Sequence, residues 1–93
     1  MSESRPAATF QLKVITPRAL LVEADVDEAQ IPTTEGLIGV LPGHRPLVVA
    51  VGEGTLGYRQ GKYEEKFAIT GGTAEIGPER VLVLTETASD KGV

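Results

Sequence analysis

The sequence has no cysteine and no tryptophan, and its 93 residues include a single histidine. Without cysteine, disulfides and thiolate metal sites are excluded. A zinc site would depend almost wholly on carboxylates, so we expect no metal and no other cofactor. Cationic residues are also scarce, because nine Lys and Arg stand against 13 Asp and Glu, for a net charge of -4. Nucleic-acid binding is therefore not expected, since phosphate affinity depends mostly on cationic side chains.

Long hydrophobic runs are absent as well. No apolar stretch approaches the ~20 residues that a membrane-spanning helix needs, and the opening MSESRPAATF lacks the apolar core of a signal peptide. Any membrane association is therefore expected to go through a partner, without direct insertion. We expect a flexible lead-in over residues 1–8, one domain over residues 9–88 and a short polar tail over residues 89–93.

The 11 glycines and six prolines are spaced along the chain and divide it into short apolar runs. TFQLKVIT (9–16) alternates apolar and polar residues, as a half-buried strand does. In LLVEADVDEAQIP (20–32) the alternation changes phase, which predicts a bulge or break near Asp27 and Glu28. VLVLT (81–85) is apolar on both faces and is expected in the centre of a sheet, and PLVVAV (46–51) is expected to be a buried strand. With no helical pattern, the chain is predicted to be an all-β sandwich or flattened barrel.

The segment GVLPGHRPLV (39–48) contains a strong turn signal. Pro42 fixes φ near −65° and Gly43 accepts a positive φ, so the pair predicts a type II turn over residues 41–44. Pro46 favours an extended conformation at the preceding residue. The pair Gly71 and Gly72 predicts a second sharp bend. We treat these prolines and glycines as structural turn residues.

His44 is the natural candidate for a general base, but the chain offers it poor nucleophiles. There is no cysteine, and serine occurs only at Ser2, Ser4 and Ser89. We therefore interpret His44 as the last residue of the turn, whose ring bonds to nearby backbone. An enzyme that uses His44 is the least favoured hypothesis.

Two other patterns also favour structural roles. The carboxylates of Glu23, Asp25 and Asp27 alternate outward on a strand and, with Glu28, indicate a solvated face rather than a cation site. GEGTLG (52–57) matches GxGxxG but lacks the strand-helix context of a dinucleotide site. What remains is a small rigid β-domain without chemistry of its own that contacts another protein. The alternative is a stand-alone β-sandwich that binds a ligand or peptide, for which only Tyr58 and Tyr63 offer aromatic surface.

Three stretches, in order, carry a family resemblance: EGLIGVLPGHRPLV (35–48), GGTAEI (71–76) and VLVLTETA (81–88). Together they resemble the N-terminal β-domain of subunit epsilon of F-type ATP synthases, over residues 10–88. The resemblance implies a ten-stranded β-sandwich and a non-catalytic place in the central stalk. There the domain would link subunit gamma to the membrane c-ring and couple proton flow to ATP synthesis. The implied location is peripheral, on the cytoplasmic side of a bacterial inner membrane.

Position by position, the resemblance assigns Thr34, Glu35, Gly36 and Leu37 to the c-ring contact. It assigns the gamma contact to Thr16 and to residues 45–49 after the turn, from Arg45 to Val49, with His44 closing the turn beside that surface. Family members usually add a C-terminal helical hairpin that binds ATP in some and inhibits hydrolysis in many. Nothing after Ala88 has a helical pattern, so ATP binding is not expected, and we expect a naturally short form.

Overall fold

The computed structural model describes residues 9–90, which form ten strands and no helix. The predicted all-β class and the ten strands implied by the resemblance are confirmed. The strands in chain order are β1 (Phe10–Ile15), β2 (Leu20–Val26), β3 (Glu28–Thr33), β4 (Gly36–Val40), β5 (Leu47–Ala50), β6 (Gly54–Gln60), β7 (Tyr63–Thr70), β8 (Thr73–Ile76), β9 (Arg80–Leu84) and β10 (Thr87–Asp90).

The chain ends were predicted as a lead-in and a tail. Residues 1–8 and 91–93 lie outside the described residues. The last strand, β10, includes Ser89 and Asp90, so ordered structure continues two residues beyond the predicted domain end at Ala88. Between residues 9 and 90 there is no helix with the length and apolar character needed to cross a bilayer.

The strands form two five-stranded sheets that pack face to face. Sheet I has the order β2-β1-β9-β8-β5, and sheet II has the order β10-β7-β6-β3-β4. The pairing of β1 with β9 is parallel, and the other paired strands are antiparallel. Strand β9 is the middle strand of sheet I, which confirms the central position predicted for VLVLT.

The core lies between the sheets and is filled by alternate residues of their strands. Phe10, Leu12 and Val14 on β1 are at most 1% exposed, and Leu56 on β6 is fully buried. Burying each such side chain contributes about 1.5–3 kcal/mol. The predicted phase change is also confirmed. Strand β2 ends at Val26, β3 begins at Glu28, and the chain passes from sheet I to sheet II at Asp27 between them.

The prediction of a buried strand for PLVVAV is wrong. Strand β5 lies at the edge of sheet I, where Leu47 is 41% exposed and Val48 is 66% exposed. Apolar residues on both faces of a strand normally mark a strand covered on both sides. Within residues 9–90, however, no layer of the chain covers the outer face of sheet I. The apolar outer side chains of β5 are therefore open to contact from outside.

Candidate interaction surfaces

The outer face of sheet I carries apolar side chains on several strands, with the exposed Glu75 on β8 between Leu82 and Val48. On β9, Leu82 and Leu84 alternate with the buried Val81 and Val83 and therefore point outward. Leu84 is in register with Ile15 on β1, and Val48 on β5 points outward between two inward-facing neighbours. We call Ile15, Val48, Leu82 and Leu84 the apolar face.

Exposure marks the apolar face as a candidate interface. Val48 is 66% exposed and Leu84 is 41% exposed, while Leu20, the register partner of Ile15, is 51% exposed. Charged residues share the same outer surface, because Lys13 is paired with Glu23 and their side chains approach to 3.7 Å. Exposed apolar side chains with charged residues around them typically mark a protein-protein interaction site.

A second exposed feature is the turn that joins β3 to β4. The residues predicted to meet the c-ring, Thr34, Glu35, Gly36 and Leu37, form this β3–β4 tip and are all exposed. The Thr33 hydroxyl donates to Gly36 O at 2.6 Å and accepts from Glu35 N at 3.1 Å. Gly36 has φ of +123°, and Leu37 is 60% exposed. The tip is therefore a fixed loop that presents an apolar side chain to solvent.

The predicted type II turn is confirmed in its geometry. Gly43 has φ of +86°, and His44 N donates to Leu41 O at 3.2 Å. The His44 ring also bonds to backbone, as predicted, since its Nδ1 lies 2.7 Å from Arg45 O. A carbonyl oxygen only accepts, so Nδ1 carries the proton in this contact. Gly43 N donates to Pro78 O at 2.9 Å and ties the turn to the β8–β9 connection.

The structure does not bring the predicted gamma-contact residues together. Thr16 follows β1 at one end of sheet I, where its hydroxyl accepts hydrogen bonds from Arg18 N and Ala19 N. His44 and Arg45 lie at the opposite end, beside the β8–β9 connection. Val49 is half-buried and packs against the core. The apolar face lies between these two ends.

Sequence reasoning missed most of the apolar face, since Val48 lies in the segment assigned to gamma but Ile15, Leu82 and Leu84 were not assigned to any contact. The available signal was the apolar character of both faces of VLVLT and PLVVAV. We interpreted that pattern as burial within one chain, although it equally fits a strand whose outer face is covered by a partner.

The acidic residues behave as a solvated, ion-paired face. The Asp27 carboxylate lies 3.5 Å from the Arg59 guanidinium and accepts a hydrogen bond from Gly61 N at 2.6 Å. The Glu28 carboxylate lies 3.6 Å from the same guanidinium. Across the part of the chain that the structure describes, no three His, Cys, Asp or Glu side chains converge as a metal site would require.

The two tyrosines do not form an aromatic binding surface. Tyr58 packs against the core, with its ring centroid 6.5 Å from that of Phe67. Tyr63 is 53% exposed, and its hydroxyl donates to the Glu65 carboxylate. This hydrogen bond raises the pKa of Tyr63, whereas burial, followed by the charge of Glu65, raises the pKa of Tyr58.

Comparisons with known proteins agree with the resemblance seen in the sequence. The family described as "ATP synthase, Delta/Epsilon chain, beta-sandwich domain" matches residues 9–91. The ATP synthase epsilon chain of Alkalihalophilus pseudofirmus is 37% identical over 81 residues, which are 87% of this chain and 61% of that protein. The ATP synthase epsilon chain of Granulibacter bethesdensis is 40% identical over 82 residues, again 87% of this chain and 61% of the relative.

Solved structures show the same fold. A chain of the Euglena gracilis mitochondrial ATP synthase (OSCP/F1/c-ring) superposes with a TM-score of 0.83 at 28% identity, covering 94% of this chain and 56% of that one. A chain of the Tetrahymena thermophila mitochondrial ATP synthase superposes with a TM-score of 0.76 at 14% identity, covering 89% and 67%. This chain spans about three fifths of the length of its curated relatives. With the family match over residues 9–91, the resemblance is confirmed, and the chain belongs to the beta-sandwich domain family of ATP synthase Delta/Epsilon chains.

Proposed function

We propose that this chain is a non-catalytic subunit of the central stalk of a proton-translocating F-type ATP synthase. It binds subunit gamma through the apolar face and the c-ring through the β3–β4 tip. By linking the two, it couples ion flow to ATP synthesis, and it is held peripherally on the cytoplasmic side of a bacterial membrane. Family membership supports the proposed place of this chain in an ATP synthase complex. The Euglena gracilis neighbour comes from an assembly that contains F1 and a c-ring.

The observation that carries the proposal is the uncovered apolar face. Val48 and Leu84 expose 66% and 41% of their surface on an otherwise well-packed sheet. Removal of apolar surface from water favours association, and permanent interfaces are more apolar than transient ones. A stalk subunit that turns with its partner needs a permanent interface. We therefore assign the apolar face to gamma.

The residues that the resemblance assigned to gamma fit around this face. Thr16 adjoins Ile15 at one end of the apolar face, and His44 and Arg45 lie at the other end of sheet I. We propose that these three make contacts at the margins of the gamma interface. Val49 packs inward and supports β5 from beneath. The exposed tip has a carboxylate at Glu35 and an apolar side chain at Leu37. It suits a contact with the c-ring loops that is smaller than the gamma interface.

A rotor part must also resist deformation. Its interior is close-packed, with core side chains from both sheets at most 8% exposed. Such interiors deform little under load. Rigidity lets the domain hold its two partner surfaces in one fixed geometry.

Val48→Glu tests the assignment to gamma, with Thr55→Glu as the matched control because Thr55 is exposed on β6 in sheet II. We expect the full chain with Val48→Glu to bind purified gamma about tenfold more weakly, with a small loss in melting temperature because the new carboxylate faces Glu75 across the strand pair. Thr55→Glu should bind as the parent does. Equal gamma affinity for all three proteins, measured by calorimetry, would remove the apolar face from the interface.

A further inference from the structure

Several backbone hydrogen bonds meet where the β3–β4 tip joins the body of the domain. Thr34 N donates to Ala50 O at 3.1 Å, and Gly52 N donates to Pro32 O at 3.0 Å. Thr33 and Val51 form an isolated antiparallel bridge between these bonds. The base of the tip, which belongs to sheet II, is thereby attached to the end of β5 in sheet I.

The same junction continues into the rest of the fold. Gly71 N donates to Gly52 O at 3.3 Å, and Val51 N donates to Gly72 O at 3.0 Å. Val51 is only 3% exposed, so its side chain is held by the core. The β5 side of the junction is therefore fixed on two sides, whereas the tip projects into solvent.

Gly52 is where the two backbones approach most closely. A Cβ atom added at Gly52 lies 2.8 Å from Thr33 O, 3.0 Å from Thr33 C and 3.2 Å from Thr34 N. Contacts under 3.0 Å to backbone require something to shift. Because Val51 is held by the core and by Gly72, the side that yields is the backbone at Thr33 and Thr34.

We propose that Gly52 is a positioning residue that sets the orientation of the β3–β4 tip relative to sheet I. The functional consequence rests on the proposed role of the tip in c-ring binding. The absence of a side chain lets the Pro32, Thr34, Ala50 and Gly52 backbones close two hydrogen bonds. A methyl group at position 52 opens this junction and leaves the tip hinged on β3 and β4 alone.

The test compares Gly52→Ala with Gly39→Ala, a substitution on β4 with no atom within 4 Å of the added Cβ. Hydrogen exchange of the amides at positions 34 and 52 is measured by NMR in the full chain. Gly52→Ala should accelerate both by about tenfold or more, beyond any change at the core amide of Val83, which reports the loss of global stability. Gly39→Ala should leave positions 34 and 52 protected. Parent-like protection in Gly52→Ala would overturn the proposal.

A second variant reaches the junction from the side of the tip. Thr34→Pro removes the N–H that bonds Ala50 O, at a turn position where proline is tolerated. The amide of Gly52 should again exchange about tenfold faster, because the two bonds close one junction. If neither variant speeds exchange at position 52, Gly52 does not position the tip.

Binding to the c-ring separates this inference from the proposed function. Leu37→Asp alters the tip surface without touching the junction, so it should weaken binding of the full chain to purified c-ring and leave amide exchange unchanged. Gly52→Ala should weaken the same binding through the loosened tip. If Leu37→Asp weakens binding and Gly52→Ala does not, the positioning role fails. If Leu37→Asp has no effect, the c-ring assignment fails, and exchange at position 34 still decides whether Gly52 fixes the tip.

Discussion

Replacing Gly72 by alanine perturbs the bend between β7 and β8, where the chain passes from sheet II to sheet I. Gly72 has φ of +108°, a conformation that L side chains rarely adopt. An added Cβ lies 1.8 Å from Leu84 O and 2.8 Å from Thr85 Cα. Both neighbours are backbone atoms in the β9–β10 crossover, so neither yields by a change of rotamer.

Three costs of this substitution follow from the structure. Holding a non-glycine residue at this φ costs about 1–3 kcal/mol, and forcing the two backbone segments apart costs about 1–3 kcal/mol. Moving Gly72 also stretches the hydrogen bond that its carbonyl accepts from Val51 N at 3.0 Å, worth about 1 kcal/mol. Together these predict a loss of about 3–7 kcal/mol in the free energy of unfolding.

Thermal unfolding followed by circular dichroism measures this loss. For a domain of this size, each kcal/mol lowers Tm by about 4–8 °C, so Gly72→Ala should melt at least about 12 °C below the parent. Gly39→Ala is the control, because nothing lies within 4 Å of its added Cβ and its effect should stay within about 1 kcal/mol. If Gly72→Ala melts within about 3 °C of Gly39→Ala, the close approach of Gly72 to Leu84 is refuted.

Three further substitutions or titrations test the turn, the crossover and the tyrosines. Gly43→Val should lower the free energy of unfolding by about 1–3 kcal/mol, because φ at Gly43 is +86°. Gly43→Asn should lose clearly less stability, because asparagine tolerates a positive φ. Urea titration of both variants measures the difference. Thr85→Val should lower the free energy of unfolding by about 1–2 kcal/mol, since the buried hydroxyl donates to Thr70 O at 2.9 Å. Thr85→Ser should retain most of that hydrogen bond and lose less stability. Equal losses for the two variants would contradict the role of the hydroxyl. Burial and then the charge of Glu65 raise the pKa of Tyr58 above 10.0, and the hydrogen bond with Glu65 raises that of Tyr63, which favours the protonated phenols in the folded state. Stability should therefore be intact below pH 10.0 and fall as pH rises through the higher folded values, and Glu65→Gln should move the phenolate absorbance titration to lower pH; an unmoved titration would contradict the contact.

Much of the fold was predictable because its signals are local. Alternation in TFQLKVIT predicted the inward face of β1, and the phase change near Asp27 predicted the passage between sheets. The turn at Pro42 and Gly43 was predicted from backbone geometry alone, since proline and glycine restrict or permit φ whatever their surroundings. These features depend on residues within a few positions of each other.

The candidate surfaces were harder to predict because they depend on tertiary context. Whether Val48 is buried depends on which strands flank β5 and on what covers its outer face. Neither is encoded in the six residues of PLVVAV. The separation of Thr16 from His44 likewise follows from the strand order of sheet I, which joins residues distant in sequence. The close approach of Gly52 to Thr33 has no sequence signal, because this glycine has no positive φ and resembles any other loop glycine.

The end of the sandwich that carries the tip is held mainly by backbone. Thr85 N donates to Ile15 O, Gly71 N donates to Gly52 O, and Gly52 N donates to Pro32 O, each at 3.0 to 3.3 Å. If the proposed function holds, side chains on the apolar face and on the tip determine partner affinity, whereas these backbone hydrogen bonds connect the two surfaces. Substitutions at those exposed side chains should change binding and leave the relative orientation of the two surfaces intact. Substitutions at Gly52 should change that orientation while both surfaces keep their chemistry. The two kinds of substitution can be distinguished. Those at exposed side chains alter the contact area with a partner, whereas those at Gly52 alter how closely the backbones of Gly52 and Thr33 approach.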